Sequence, residues 1–550
     1  MAYLFFPGRH VVNTRFQEEY LLRVLGVPLS RLAFAGTAPR WSGEVNTVVF
    51  AVTSANRQNS RYNPVPFHIR AIGVDRMARG LADALDISHR ILGIPHFPPT
   101  PRFAHHVLRD VQEQTEGELD LTPDNTVVLC STPAVIAQFA ALGYSVLPAE
   151  LGEPEDRRPP MPFEIVQRIA ALDGDWSKDP DLRRILSPAT LSLWHDFPQV
   201  PHRVARLFRD PLLTEQGDLT ATRDYASYGR AMSDPKVIEF KYRDVAECLV
   251  EGKIVDEGCA DGALLIPIAR DCPDSDLIGI EITGEFLAQC HERQRRGDFG
   301  GSFVHFHQRN LQDVIFELRS IDTTLCNSTT HELWSYGDGV ATLRPYLERK
   351  FAQTRAGGRL VIRDVLGPEQ KDREVYLWCS AADGSNEDPL REIADGNELV
   401  KHLERLSTAA RFRRFAQDFL AAERASNKRG AESAIAFRQE TVGDRTYFVL
   451  RLKDAAEFLS KKDYADNWHS EMHEEFTFWS FSEWKAELTR IGFKVIETPA
   501  DPAGGSRAYV NPWIVENRFR GKAELFEQTP AGLAKIDYPP TNMVLVGQRD

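Results

Sequence analysis

The 550-residue sequence lacks several features that would each define a class of protein. No apolar run approaches the about 18 residues that span a bilayer, and the start MAYLFFPGRH has neither a basic region nor a small-residue cleavage site, so we expect no secretory signal. None of the seven cysteines forms a C-x-x-C pair, which argues against a zinc site or a disulfide framework. We therefore expect reduced thiols, no metal site, no membrane partner and a cytoplasmic protein.

The chain also has fewer positively charged than negatively charged residues. The chain has 66 Lys and Arg against 79 Asp and Glu, a formal net charge of −13. Binding along a nucleic acid depends on neutralising its phosphates, so we expect no long nucleic acid as a partner. The composition, 42% hydrophobic and 26% charged, is that of a folded globular protein. Neither charge nor composition predicts an oligomeric state.

Short β-rich runs alternate with helical periods in two parts of the chain, which predicts two Rossmann-like, doubly wound α/β domains. Residues 1–152 form the first, and residues 236–550 form the second. Residues 153–235 are a predicted helical appendage and connector. In the second domain, KIVDEG, LIGIEI, FVHFHQ, TLCNS, GRLVIRDV, FKVIETP and NMVLVGQ are candidates for seven strands of one sheet. A charged insertion at about 369–470 is predicted to be helical.

A glycine-containing loop follows the first strand of the second domain. In IVDEGCADGALL an apolar strand runs into a turn with Asp256, Gly258 and Gly262 and continues as a helix. Glycine lets the backbone approach a ligand closely, and a helix start offers unpaired N–H groups. The next strand, LIGIEI, ends in Glu281, at a spacing where a carboxylate can accept both ribose hydroxyls of a nucleoside. The pattern predicts a nucleoside-binding site.

Three interpretations of this loop compete: a dinucleotide site, an S-adenosylmethionine site, and a glycine turn that binds nothing. A dinucleotide site needs G-x-G-x-x-G facing a pyrophosphate, whereas this loop reads D-x-G-x-A-x-G with Asp256 before it and Asp261 within it. Carboxylates suit a cationic sulfonium better than a pyrophosphate. The loop therefore favours S-adenosylmethionine.

Residues 236–365 resemble class I S-adenosylmethionine-dependent methyltransferases. VDEGCADG corresponds to the first motif, with Ala260 at the usual middle glycine, and QRNLQD, TLCNSTTHELWSYG and AGGRLVIRDV correspond to later motifs. The resemblance implies a seven-stranded sheet in which NMVLVGQ is the antiparallel strand. It also implies S-adenosyl-L-methionine as the cofactor, bound by Asp256, Gly258, Ala260, Gly262, Glu281, Asn310, Cys326 and Asn327.

Within that set, Glu281 would hold the ribose and Asn310 would replace an adenine-contacting Asp. Cys326 and Asn327 would lie beside the methyl group. Methyl transfer needs a base only if the nucleophile carries a proton, and His331, Glu332 and Asp364 are the candidates. The competing interpretation of His331 is a residue that caps or packs the start of a helix. The aromatic stretch WHSEMHEEFTFWSFSEW is interpreted as a segment that covers the site, with Ser480 and Glu483 as a capping box, or else as a wall for a planar substrate.

The order of blocks across residues 2–176 resembles the nicotinamide-nucleotide adenylyltransferase family, especially its archaeal form. Thr14 falls on the first residue of that family's H/T-x-G-H motif, while Phe16 and Gln17 replace its last two residues. Val166 stands where a late phosphate-binding motif has arginine. The resemblance implies a nucleotide-binding fold with degenerate catalysis, in which Thr14 is the retained candidate catalytic residue.

Three functions follow as hypotheses. The first is a methyltransferase whose small-molecule acceptor, not identified by the sequence, carries a nucleotide or phosphate. The second is a bifunctional enzyme that also transfers a nucleotidyl group. The third is a non-catalytic sensor or assembly module that only binds nucleotides.

Overall fold

The chain forms two compact units, Met1–Asp218 and Leu219–Asp550. The computed structural model describes residues 2–172, 176–209, 234–391, 393, 395–421, 435–497 and 505–550. Residues 210–233 of the predicted connector and 422–434 of the predicted insertion lie outside the described residues. Both units are mixed α/β structures with a parallel sheet.

The first unit is built on a parallel sheet whose strand order is β3-β2-β1-β4-β5 among the described residues. The strands are β1 (Tyr3–Gly8), β2 (Thr47–Val52), β3 (Ser88–Gly93), β4 (Thr126–Leu129) and β5 (Ser145–Leu147). All five lie within residues 1–152, where the alternation of β-rich runs and helical periods predicts the first α/β domain. The central strands are buried on both faces, which is why they are continuously apolar rather than alternating.

Helices lie between these strands and continue after them. They are α1 (Arg15–Leu25), α2 (Phe67–Leu85), α3 (Phe103–Gln114), α4 (Pro133–Ala141), α5 (Pro162–Ala171), α6 (Pro180–Ile185), α7 (Pro188–Asp196) and α8 (Gln199–Arg209). The later helices belong to the same unit, because Ile165 and Leu193 pack in one core cluster with Val11 and Ile69.

The second unit contains two sheets. Its described strands are β6 (Lys253–Glu257), β7 (Asp276–Glu281), β8 (Val304–Gln308), β9 (Ile321–Asn327), β10 (Thr354–Asp364), β11 (Glu374–Cys379), β12 (Arg438–Val442), β13 (Arg445–Arg451), β14 (Lys494–Val495), β15 (Arg507–Tyr509), β16 (Ala523–Thr529), β17 (Gly532–Ile536) and β18 (Asn542–Gln548). The larger sheet has the order β14-β18-β10-β9-β6-β7-β8. Strands β6 to β10 are parallel, and β18 is antiparallel to β10.

This sheet contains all seven candidate strands, and NMVLVGQ is antiparallel as expected. The last residues of FKVIETP, 498 and 499, lie outside the described residues. Strand β15 also pairs with β18, so the sheet has one more strand than the seven expected. Strand order and directions together give a methyltransferase-like Rossmann fold.

Helices cover both sheets of the second unit. The described helices are α9 (Pro235–Val245), α10 (Leu265–Asp271), α11 (Gly284–Arg296), α12 (Thr330–Tyr336), α13 (Val340–Gln353), α14 (Gly396–Arg405), α15 (Thr408–Asp418), α16 (Leu452–Lys461), α17 (Trp468–Glu471), α18 (Phe481–Ile491) and α19 (Pro512–Ile514). None of the helices within the described ranges is long and apolar enough to cross a membrane.

The prediction of a purely helical insertion at 369–470 is wrong. This segment contains helices α14 to α17 but also strands β11, β12 and β13, which join β16 and β17 in an antiparallel sheet of order β12-β13-β11-β16-β17. Phe448 and Leu450 of β13 pack against the helices, whereas Tyr447 and Val449 pack on the opposite face. Burial on both faces removes the polar alternation that would have marked a strand.

A buried ion pair joins the first strand of the larger sheet to a helix. Glu257, at the end of β6, accepts hydrogen bonds from Lys350 Nζ and from the Tyr346 hydroxyl, both on α13. All three side chains are buried. Strand β6 is thereby held at the point where the glycine loop begins.

We expect Lys350→Met to destabilise the protein by about 3–5 kcal/mol, because it leaves the Glu257 carboxylate buried without its cation. Adding Glu257→Gln to that variant should restore much of the loss, since the second change removes the unpaired charge. Urea unfolding followed by tryptophan fluorescence measures both effects. The exposed pair of Lys485 with Glu497 provides the control, Lys485→Met, with an expected cost below about 1 kcal/mol. Equal losses in the single and double variants would contradict the assignment.

Candidate functional site

The loop between β6 and α10 has an unusual backbone. Gly258, Ala260 and Gly262 all have positive φ, at +74°, +48° and +75°. A Cβ atom at position 258 would lie 2.6 Å from Thr329 Oγ1, and the Thr329 hydroxyl itself donates to the Glu257 carbonyl at 3.1 Å. Glycine is therefore required at 258 by the close approach of the segment that follows β9. Ala260 adopts the left-handed conformation at the position where the family motif has glycine.

Glu281, at the end of β7, is turned toward this loop. Its Oε2 accepts a hydrogen bond from the Ala260 amide at 3.0 Å, and its Oε1 accepts from the amides of Ile282 and Thr283, each at 2.8 Å. Burial raises the pKa of the Glu281 carboxyl, although the hydrogen bonds from Thr283 oppose that shift. The structure thus brings Glu281 and the loop together.

The two aspartates of the loop differ in their surroundings. Asp261 forms an ion pair with Arg293 of α11. Asp256 is 2% exposed in β6, and burial raises the pKa of its carboxyl to about 7, against the opposing effect of Lys241. The negative charge of Asp261 is therefore neutralised within the protein, whereas Asp256 lies close to Lys241.

Sequence reasoning missed Lys241, which lies on α9 and is half-buried. Burial lowers the pKa of its ammonium group to about 8, with Arg363 acting in the same direction and Asp256, Asp364 and Asp261 opposing it. Helix α9 precedes β6 and lies outside every motif that was recognised. A lysine there carries no sequence signal, and only the tertiary structure brings it within electrostatic reach of Asp256 and Asp364.

Two predicted cofactor residues lie near this edge. Asn310 is half-buried after β8, and its side-chain oxygen accepts from the Gln312 amide at 2.9 Å. Asn327 is half-buried at the last position of β9. Both follow the carboxyl ends of parallel strands, where ligands bind in open α/β sheets.

Cys326 is placed differently from the prediction. Its side chain is completely buried, and its Sγ lies 2.8 Å from the Tyr346 hydroxyl. Residues alternate faces along a strand, so Cys326 points to the Tyr346 side while its neighbour Asn327 points the other way. The Cys326 side chain therefore does not line the cofactor site.

His331 begins helix α12 between two carboxylates. Its Nδ1 lies 2.6 Å from Asp364 Oδ1, and its Nε2 lies 3.5 Å from Glu474 Oε2. Burial disfavours the imidazolium, but Asp364 and Glu474 outweigh it and raise the pKa of His331 well above its usual value. Asp364 also accepts from the Thr330 amide at 2.8 Å. His331 is thus held as a cation, so the expectation that it serves as a general base is not supported by its surroundings.

Glu332 is the remaining candidate base. It is half-buried in the first turn of α12, and its charge raises the pKa of Glu281. It therefore lies within electrostatic reach of the Glu281 carboxylate. The structure brings Glu332, Glu281, Ala260 and Asp256 to one edge of the sheet.

The aromatic stretch at 468–484 is part of the core. Trp334 of α12 stacks on Phe478 with ring centroids 4.4 Å apart, and its Nε1 donates to Glu475 Oε2 at 2.8 Å. Ser480 and Glu483 form the expected capping box of α18. The stretch packs against α12, and Phe476, Phe478 and Trp479 are buried. These buried rings do not form an open wall for a planar substrate.

In the first unit, Thr14 is 1% exposed. Its hydroxyl accepts from the Gln17 amide at 3.1 Å as the N-cap of α1, and Gln17 Oε1 accepts from the Thr14 amide at 3.2 Å. The segment before α7 covers this helix start, since Thr14 bridges to Leu186 and the Ser187 amide donates to Asn13. The catalytic expectation for Thr14 therefore needs correction: its hydroxyl caps a helix and is closed off from a triphosphate.

The comparisons with known proteins concern the second unit. A family model described as a methyltransferase domain matches residues 250–411. S-adenosyl-L-methionine is accordingly the expected cofactor. No curated protein matches the chain.

Solved structures with a similar fold include three bacterial proteins. An S-adenosylmethionine-dependent methyltransferase from Clostridium acetobutylicum is 10% identical, with a TM-score of 0.29, and the match covers 59% of this chain and 98% of the other. The YcgJ protein from Bacillus subtilis is 14% identical, with a TM-score of 0.26 and coverage of 57% and 97%. An Aquifex aeolicus SAM-dependent methyltransferase is 15% identical, with a TM-score of 0.22 and coverage of 41% and 96%.

The stability contributed by the His331 imidazolium should depend on pH in a defined direction. The folded-state pKa is raised, so this contribution is complete below the unfolded pKa of about 6.5 and is lost as pH rises through the folded-state pKa. We expect His331→Gln to cost roughly 3–5 kcal/mol at pH 6 and less as the pH rises toward 10, measured by urea unfolding. The exposed His305, changed to Gln, is the control. A penalty that grows with pH would contradict the imidazolium.

Proposed function

We propose that the second unit transfers a methyl group from S-adenosyl-L-methionine to a small-molecule acceptor. The observation that carries the proposal is the Glu281 carboxylate facing the Ala260 amide across the loop at the carboxyl edge of the sheet. Glu281 at the end of β7 lies beside the loop that follows β6, in which three residues have positive φ. This arrangement is suited to a nucleoside that carries an extended, charged substituent. The methyltransferase-domain match over residues 250–411 supports the same proposal.

The strand order suggests how the cofactor would lie. Asn310 follows β8, Glu281 ends β7, and Asp256 is in β6, three neighbouring strands. Asn310 would hold the adenine and Glu281 the ribose, and Asp256 of β6 would lie on the side of the methionyl chain. When bound, the cofactor supplies an electrophilic methyl group, and the chain's main contribution is to position the acceptor and exclude water.

In this proposal, a side chain of α12 would accept the proton that the acceptor loses. Asp364 is committed to His331 and to the start of the helix, so neither residue is free to take a proton from an acceptor. Glu332 would serve as the base for an acceptor that carries a proton. His331 would act indirectly, by keeping α12 attached to the end of β10.

The first unit contributes a second part of the proposal, a nucleotide-binding fold that does not catalyse nucleotidyl transfer. The closed position of Thr14 and the burial of Val166 support the loss of catalysis. Cations gathered at the strand ends support binding. Arg57 and Arg9 lie within electrostatic reach of His96, since they act with burial to lower its pKa. Arg70 is buried and orders these loops, because its NH1 donates to the carbonyls of Arg9 at 2.6 Å and Thr53 at 2.8 Å.

These cations motivate an acceptor that carries a nucleotide or phosphate. A cytoplasmic location accords with the cysteines, since all seven are buried free thiols. The alternative to a methyltransferase is a module that binds nucleotides without catalysis. Assays of turnover distinguish the two.

The ribose role of Glu281 is tested by Glu281→Gln. We expect affinity for S-adenosylmethionine to fall by about tenfold to a hundredfold, because a hydrogen bond to a charged group contributes roughly 1.5–3 kcal/mol. Isothermal titration measures the affinity, and Glu285→Gln in the exposed first turn of α11 is the matched control. Unchanged affinity in Glu281→Gln, with the wild type binding, would refute the role. Binding without turnover over a broad set of acceptors would favour the sensor.

If the first unit does not catalyse nucleotidyl transfer, the protein should release no pyrophosphate from ATP or CTP when small phosphate-bearing acceptors are present. The physical reason is that the Thr14 hydroxyl is occupied in the cap and covered by the segment before α7. A coupled pyrophosphate assay on the full-length chain measures this. Release that disappears in Thr14→Ala would show that the helix start opens and that the enzyme is bifunctional.

A further inference from the structure

Two cysteine thiols lie beside the loop that carries the Ala260 amide. Cys290 of α11 donates from its Sγ to the Ala260 carbonyl at 3.1 Å, and Cys259, within the loop, donates to the same carbonyl at 3.8 Å. Both residues are buried, with 0% and 5% of their surface exposed. The two sulfur atoms therefore converge on one oxygen atom, and the proposed methyl transfer uses neither of them.

Two glycines make the space in which these thiols meet. A Cβ atom at Gly279 of β7 would lie 2.7 Å from Cys259 Sγ, and one at Gly262 would lie 3.3 Å from Cys290 Sγ. The ring of Phe306 on β8 borders both positions, at 2.7 Å and 3.2 Å from those Cβ atoms. The thiols are thus enclosed together between the loop, β7 and α11, where they form a hydrogen bond with each other.

The reduced thiols are slow to react. The hydrogen bond with Cys290 raises the pKa of Cys259 well above its usual value, and burial and the nearby carboxylates of Asp256 and Glu281 act in the same direction. The thiolate is the reactive form of cysteine, so a protonated Cys259 reacts slowly with an oxidant. A second thiol in contact nonetheless gives the oxidation a defined product, because it converts the sulfenic acid of the first into a disulfide.

We propose that Cys259 and Cys290 are a site of reversible oxidation by peroxide, and that the disulfide they form distorts the loop after β6 and weakens cofactor binding. The effect on cofactor binding rests on the proposed methyltransferase function, whereas the formation of the disulfide does not.

The oxidation has two steps that balance. The Cys259 thiol loses its proton, and its sulfur attacks one oxygen of hydrogen peroxide, which breaks the O–O bond and gives a sulfenic acid and hydroxide. The Cys290 sulfur then attacks the sulfenic sulfur, the S–O bond breaks and a water molecule leaves. The hydroxide takes up the proton from Cys259. Two thiols thus become one disulfide while one hydrogen peroxide becomes two waters.

The disulfide would act on the loop through Ala260. The Ala260 carbonyl would lose both S–H donors, and φ at this residue is +48°, a conformation that a non-glycine residue keeps only where its surroundings impose it. Cys259 would also have to move toward α11, because an S–S bond of about 2 Å is shorter than a hydrogen-bonded contact. Both changes draw the Ala260 amide away from Glu281 Oε2, which it contacts at 3.0 Å.

The first experiment detects the disulfide by mass spectrometry. Full-length protein treated with hydrogen peroxide and digested by trypsin without reduction should give peptide 254–270, which contains Cys259, linked to peptide 271–293, which contains Cys290. Peptide 271–293 also contains Cys272, so Cys272→Ala is the matched control and should keep the link. Cys290→Ser, whose hydroxyl can still donate to Ala260, should lose it. Absence of the link in the wild type, or its persistence in Cys290→Ser, would overturn the proposal.

The second experiment measures the consequence for binding. After the peroxide is removed, isothermal titration should show that affinity for S-adenosylhomocysteine has fallen by about tenfold or more, the scale of a lost hydrogen bond to a charged group. Dithiothreitol should restore the affinity. Cys290→Ser should bind equally well before and after peroxide, and so should Cys259→Ala, which lacks the other thiol. Cys272→Ala should respond as the wild type does.

The outcomes separate the possible failures. Unchanged affinity in the linked protein, or an equal loss of affinity in Cys290→Ser and Cys259→Ala, would overturn the proposal. Failure of the reduced wild type to bind S-adenosylhomocysteine would instead refute the proposed function, and the linked peptides would still decide whether the two thiols are an oxidation site.

Discussion

The hydrogen bond between the Ala260 amide and the Glu281 carboxylate is the contact on which the site depends. It joins the loop after β6 to the end of β7, together with the hydrogen bonds that the Gly258 and Cys259 amides donate to the Ile280 carbonyl at 2.9 Å and 3.0 Å. The contact requires Ala260 to remain in the left-handed region and Gly258 to lie against Thr329. Small residues and one carboxylate thus define the shape of the loop after β6.

Two buried ion pairs fix the elements around this loop. Glu257 with Lys350 fixes the end of β6, and His331 with Asp364 fixes the start of α12. Breaking a buried pair on one side leaves an uncompensated charge, so each pair strongly constrains where its elements lie. The same constraint explains why His331 is better suited to positioning than to proton transfer.

The insertion of the second unit is connected to the site through Glu474 and Glu475. Glu474 lies beside His331 and accepts from the Tyr336 hydroxyl at 3.0 Å, while Glu475 accepts from Trp334. Helix α12 is therefore held between β10 and a segment that follows the insertion's helices. Changes in the segment after the insertion's helices would therefore act on the position of α12.

Local sequence patterns predict the α/β class, the strands of the first sheet and of the larger mixed sheet except β15, and the meeting of the Gly258 loop with Glu281. Apolar runs and glycine spacing are local properties, which is why they could be recognised without coordinates. Only the tertiary structure turned Cys326 toward Tyr346, covered Thr14 and brought Lys241 to Asp256. Those outcomes depend on which residues distant in the chain become neighbours, because burial and charge pairing act between elements, and no local pattern encodes them.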